Sequence, residues 1–95
     1  MRTFEFSVTA QADFEDIIAR IEQDDPITAQ SVARRFRASV ETVCLFPGTG
    51  KRTDVPEVWI FGGTKHQPFR FTFKVFEDRI LVLRIFRHSR EKLLT

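Results

Sequence analysis

The alternation of apolar and polar positions divides this chain into six elements. Phe4, Phe6 and Val8 alternate with Arg2, Glu5 and Ser7, the period of a half-buried strand. Thr9 follows where a helix N-cap belongs, with Asp13, Glu15 and Asp16 early in the next element, where the helix dipole favours acids. Phe14, Ile17, Ile18 and Ile21 line one face of a helix predicted over about residues 10–23. Asp24-Asp25-Pro26 breaks the pattern and places a proline at the first position of a second helix. Ala29, Val32, Ala33, Phe36, Val40, Val43 and Cys44 form its stripe, while Arg34, Arg35 and Arg37 lie largely off it. The short connection makes the pair a helical hairpin.

Phe46-Pro47-Gly48-Thr49-Gly50 ends the second helix, and residues 51–56 read as a polar loop. Three strand-like segments follow: a short one at 58–61 ending at Gly62-Gly63, an alternating one carrying Phe69, Phe71, Phe73 and Val75, and a more continuously apolar one at 80–86. Glu77-Asp78 occupies the turn between the last two. The expected fold is α+β in the order β-α-α-β-β-β, a single domain over residues 1–95. A helical hairpin packs on one face of a largely antiparallel four-stranded sheet.

Strict alternation in the last strand sends Leu81, Leu83 and Ile85 one way and Ile80, Val82 and Phe86 the other. Two helices cover only one face, so the second needs a cover from the chain's own tail, such as Leu93-Leu94, or from another protein. Ile80, Val82 and Phe86, with Arg34 and Arg37 of the hairpin, are therefore expected to bind a partner. Arg84 is either an edge residue that reaches outward or a buried charge awaiting a partner.

Composition changes this picture in two places. At 95 residues, 42% hydrophobic and 29% charged, the chain reads as one globular domain near the small end of what sustains its own core. No apolar run approaches the roughly 18–20 residues of a membrane span, and the start lacks the pattern of a signal peptide; a cytoplasmic location is expected. The single Cys44 and two histidines supply neither an internal disulfide nor a ligand cluster, so no metal and no cofactor are expected. The net charge of +2 is modest, but seven Lys or Arg residues face three acids from His66 onward. Arg84, Arg87, His88 and Arg90 thus mark the chain's end as its candidate chemical region. Eleven Phe and no Tyr remove the phenol as a proton donor. His66 reads as a turn residue.

Four segments in this order resemble the RelE/ParE superfamily of bacterial toxins. Residues 6–14, Phe-Ser-Val-Thr-Ala-Gln-Ala-Asp-Phe, resemble its strand-to-helix opening, and Pro47-Gly48-Thr49-Gly50 its Pro-x-x-Gly. Residues 68–75 resemble its Tyr-Arg-x-x-Tyr strand with Phe for both tyrosines, and residues 80–90 its closing strand and His-x-x-Arg end, here His88-Ser89-Arg90. The resemblance implies a type II toxin with a cognate antitoxin that wraps it as a hetero-oligomer. It also implies one of two activities. ParE-like members poison DNA gyrase without catalysis; here Arg84, Arg87, His88 and Arg90 would contact the target. RelE-like members cut messenger RNA on the ribosome, for which Arg70, His88 and Arg90 are the matching catalytic candidates. The Asp24-Asp25-Pro26 turn, the arginine-rich second helix and the basic ending look more like ParE members, while a relative that has lost toxicity is a further alternative.

Overall fold

A computed structural model of the chain describes residues 2–62 and 69–87; His66, His88, Arg90 and Leu93-Leu94 lie outside the described residues. The elements are β1 (Thr3–Phe6), α1 (Val8–Asp24), α2 (Pro26–Leu45), a single 3-10 turn at Pro47–Thr49, β2 (Lys51–Arg52), β3 (Trp59–Gly62), β4 (Phe69–Val75) and β5 (Arg79–Arg87).

The expected class holds, with three corrections. The cap of α1 is Ser7, not Thr9: its hydroxyl accepts from Ala10 N–H at 3.0 Å and donates to the Leu83 carbonyl at 2.8 Å. Its amide donates to Val82 O at 2.9 Å, so Ser7 is both the end of the strand and the start of the helix. Asp25 plays the same double part between the helices. Its N–H closes α1 on Ile21 O at 2.8 Å, and its carboxylate accepts from Ile27 and Thr28 N–H at the start of α2. Hydrogen bonds from the Thr28 side chain and backbone, and from Ile27, outweigh slight desolvation and hold this carboxyl below the usual range.

Among the described residues the sheet has five strands, not four, in the order β1-β5-β4-β3-β2. Lys51 and Arg52, read from the sequence as loop, pair with Ile60 and Trp59 as an extra edge strand. Two polar residues carry no alternation to reveal such a strand. β1 runs parallel to β5, and every other pairing is antiparallel. Gly62 approaches β4 so closely that a Cβ there would lie 2.6 Å from Phe69 O, at a φ of +99° that L side chains rarely adopt.

The hairpin covers one face of the sheet. Ala10 and Ile21 of α1 and Ala29, Val32, Phe36, Val40, Val43 and Cys44 of α2 pack with Phe69, Phe71, Phe73, Ile80, Val82 and Ile85. Phe36 is the hub, with ring centroids 4.9 Å from Phe69, 5.2 Å from Phe14, 5.4 Å from Phe71 and 5.7 Å from Phe6. Burial raises the pKa of the Cys44 thiol, with the Glu41 carboxylate adding to the effect, so this cysteine serves as a small apolar residue.

Ile80 and Val82 do not lie on an open face: both are fully buried beneath the hairpin. The cause is a β-bulge. Thr72 stands opposite Arg84 while Phe73 stands opposite Val82, which leaves Leu83 without a direct partner. The extra residue shifts the phase of alternation, so that Ile80, Val82 and Ile85 all face the core. Phe86, grouped with Ile80 and Val82 by strict alternation, lies on the other face, opposite Arg70.

Candidate functional site

Directly paired residues on neighbouring strands share a face, and this fixes the composition of the uncovered side of the sheet. Phe69, Phe71 and Phe73 of β4 are buried, so Arg70, Thr72 and Lys74 point the other way. Their partners place Phe86, Arg84 and Leu81 beside them, with Ile60 next to Thr72 and Glu5 next to Leu81. The open face is thus a mixed surface of cations and half-buried apolar side chains.

Several of its side chains meet near the end of β5. The Phe86 ring has the Arg70 guanidinium 5.6 Å from its centroid and the Arg84 guanidinium at 5.4 Å, within the range of cation–π attraction. Arg84 is exposed, which answers the choice posed by its apolar neighbours, and it is also paired. Its Nε donates to Asp13 Oδ2 at 2.8 Å, and the same oxygen accepts from Ile85 N–H at 3.0 Å. For Asp13, burial pushes the carboxyl pKa up, but the hydrogen bonds from Arg84 and Ile85 and the guanidinium charge outweigh it and leave the pKa below the ordinary value. The hydrogen bond that Arg84 donates to Asp13, and then the charge of that carboxylate, raise the pKa of Arg84 further. Arg84 is therefore a fixed cation. By contrast, Arg79 is taken up by ion pairs with Glu5 at 2.9 Å and Asp78 at 3.2 Å.

The residues expected to act together are divided between two faces. Arg70, Arg84 and Phe86 share the open face, whereas Arg87 stands opposite Phe69 on the hairpin side. Arg87 there lines a groove of about 290 Å³ with Asp13, Asp16, Ile17 and Arg20. Arg34 and Arg37 are exposed on α2 at the rim of a separate groove of about 240 Å³, walled by Phe4, Phe6, Phe14, Ala33 and Phe36. A larger groove of about 440 Å³ lies at the opposite end of β4, between Arg52, Val55, Trp59, Lys74 and Phe76. Arg52 is spent there on the Trp59 ring, 5.3 Å away, so size alone does not make that groove the site.

Sequence reasoning missed Asp13, which it treated only as an acid near a helix start. It also missed that β1 is an edge strand of the sheet among the described residues. Thr3 and Ser7 donate to the carbonyls of Asp78, just before β5, and of Val82 within it. In a parallel ladder alternate residues serve one neighbour, so the backbone groups of Phe4 and Phe6 point away from the sheet, along the groove that Arg34 and Arg37 border. A first strand that returns to pair with the last would have signalled such an edge, but one sequence does not reveal the pairing.

Among the described residues, no helix is long and apolar enough to cross a membrane.

The chain matches the model of a family described as the ParE toxin of the type II toxin–antitoxin system parDE, over residues 4–92. Its fold is similar to that in a structure of the chromosomal ParDE toxin–antitoxin system from P. aeruginosa, with a TM-score of 0.76 and 23% identity over 94% of this chain and 98% of that one. A mutant of the E. coli toxin RelE, in complex with a peptide of the antitoxin RelBc, aligns with a TM-score of 0.52 and 8% identity over 98% and 90% of the two chains. The YoeB dimer from Staphylococcus aureus gives 0.53 and 14% over 93% and 98%. At these identities the likeness is one of fold. No curated protein sequence shows a significant match.

Proposed function

The chain belongs to the ParE toxin family of type II toxin–antitoxin systems, and from that premise we propose that it arrests growth by poisoning DNA gyrase through the arginine-bearing end of its sheet. The observation that carries this reading is the fixed charge of Arg84. Held by Asp13 with its pKa raised, it cannot exchange protons near neutral pH. It can, however, present N–H donors to an anionic or carbonyl surface. Arg70 and Phe86 stand beside it as a second cation and an apolar contact. Metal-free cleavage of RNA needs a proton donor and acceptor tuned near the working pH, and the chain has no Tyr. Inhibition by contact needs neither.

Family membership implies a cognate antitoxin. Its proposed seat is the Phe4–Phe6 edge and the adjoining groove, in place of the buried Ile80 and Val82. An extended segment there would pair with the outward backbone groups of Phe4 and Phe6 as a sixth strand. Its apolar side chains would enter the phenylalanine groove, and its acids would meet Arg34 and Arg37. Expression alone should arrest growth with nucleoid DNA breaks, and coexpression with the antitoxin should relieve the arrest. Arrest with intact DNA and messages cut at codon boundaries would overturn the gyrase assignment.

A further inference from the structure

We propose that Asp13 is a positioning residue for the arginine face: its one carboxylate fixes both the Arg84 guanidinium and the backbone of β5 from which that side chain springs. The argument begins with the length of β1. It pairs with Arg79–Val82, so among the described residues the outer edge of β5 has no strand beside it from Leu83 onward. An uncovered edge leaves backbone groups without partners. Side chains from the start of α1 take over. The Ser7 hydroxyl donates to Leu83 O at 2.8 Å, and Asp13 Oδ2 accepts the Ile85 N–H at 3.0 Å.

Asp13 then does a second thing with the same oxygen. It accepts from Arg84 Nε at 2.8 Å, across 71 residues of sequence. The bulge at Leu83 makes this possible, because it turns Arg84 onto the open face at the point where, among the described residues, the strand edge is unpaired. With Nε held and Nη2 also donating to Asp13 Oδ1 at 3.5 Å, the guanidinium stays 5.4 Å from the Phe86 ring, and its remaining N–H groups are offered in a narrow range of positions. An arginine that samples many rotamers loses binding free energy when it is ordered by a partner; one already held loses less. The other charges lining the same groove on the two elements are Asp16, Arg20 and Arg87. Asp16 is engaged by Arg20 at 3.3 Å, which leaves Asp13 as the carboxylate that reaches Arg84.

The inference rests on the toxin reading only for what the arginine face acts upon; the clamp itself is independent of it. The test compares Asp13→Asn, Arg84→Ala and the double variant in the full chain. An asparagine keeps an acceptor oxygen for the Ile85 amide, so the fold and slow exchange of that amide should persist. The 15N resonance of Arg84 Nε should lose its slow proton exchange. The amount of protein needed to arrest growth should rise on the order of tenfold, the usual scale of one coupled contact, and the double variant should be no weaker than Arg84→Ala. An unchanged Arg84 Nε resonance in Asp13→Asn overturns the proposal. So does a double variant whose loss is the product of the two single losses, or an Arg84→Ala protein of full potency. A wild-type chain that arrests nothing defeats the toxin reading instead, and the Nε resonance then decides the clamp alone.

Discussion

Phe86 stands directly opposite Arg70 on the face that the helices leave open, and the Arg70 guanidinium lies 5.6 Å from its ring. A residue held this way contributes little to the core but shapes the surface beside Arg84. Cation–π contacts at exposed sites contribute about 0.5–1 kcal/mol each, so Phe86→Ala should cost roughly 1–2 kcal/mol in chemical unfolding while sharply weakening growth arrest. Unfolding of the variant at room temperature would instead identify Phe86 as part of the core.

Phe36 is the opposite case. It is buried among Phe6, Phe14, Phe69 and Phe71. Truncation of such a ring removes its transfer free energy and leaves a cavity, about 3–5 kcal/mol in total. A Phe36→Ala protein should therefore lose much of the marginal stability of a 95-residue domain, and a loss below about 1 kcal/mol would contradict the packing described.

Asp13 ties stability to pH in a definite direction. Its folded pKa is depressed below the ordinary value of 3.8, so the native state favours the charged form. The contribution is fully present above the unfolded pKa and is lost as pH falls through the folded one. Thermal midpoints measured from pH 6 downward should fall below about pH 4, and Asp13→Asn should flatten part of that limb. Asp25, depressed for a separate reason at the α1–α2 turn, should retain its share. An acid limb that is identical in Asp13→Asn would remove the Arg84 pair as its source.

Arg34 and Arg37 border the phenylalanine groove beside β1. If an acidic, extended antitoxin segment docks there, Arg34→Glu with Arg37→Glu should weaken the complex by about tenfold or more at physiological salt, mostly through slower association. The substitutions are on an exposed helix face, so stability should change little. Unaltered affinity would put the antitoxin elsewhere.

Much of the fold is legible in the sequence because two periods carry it. The 3.6-residue stripe from Ala29 to Cys44 and the alternation from Phe69 to Val75 identify the hairpin and its central strand. Asp25-Pro26 marks the join between the helices through its own side chain and ring. What escapes is what depends on distant partners. Lys51-Arg52 becomes a strand only because Trp59 and Ile60 lie alongside. The bulge at Leu83 is a mismatch between two strands, visible in neither alone, and it overturns the simple division of β5 that put Ile80 and Val82 outside. Arg70, Arg84 and Phe86 were readable as residues of interest from charge and position. Asp13 was not, since its partner is 71 residues away.

The choice of target is the central claim, and one comparison with purified components tests it most directly. The protein is added to gyrase with relaxed plasmid and, in parallel, to ribosomes carrying a message with a defined codon in the A site. The account predicts that supercoiling is blocked or cleaved plasmid accumulates, that Arg84→Ala and Asp13→Asn weaken the effect together, and that the message stays whole. Normal supercoiling beside a message cut in the A site, with cutting abolished by His88→Ala, would contradict it and establish a ribonuclease.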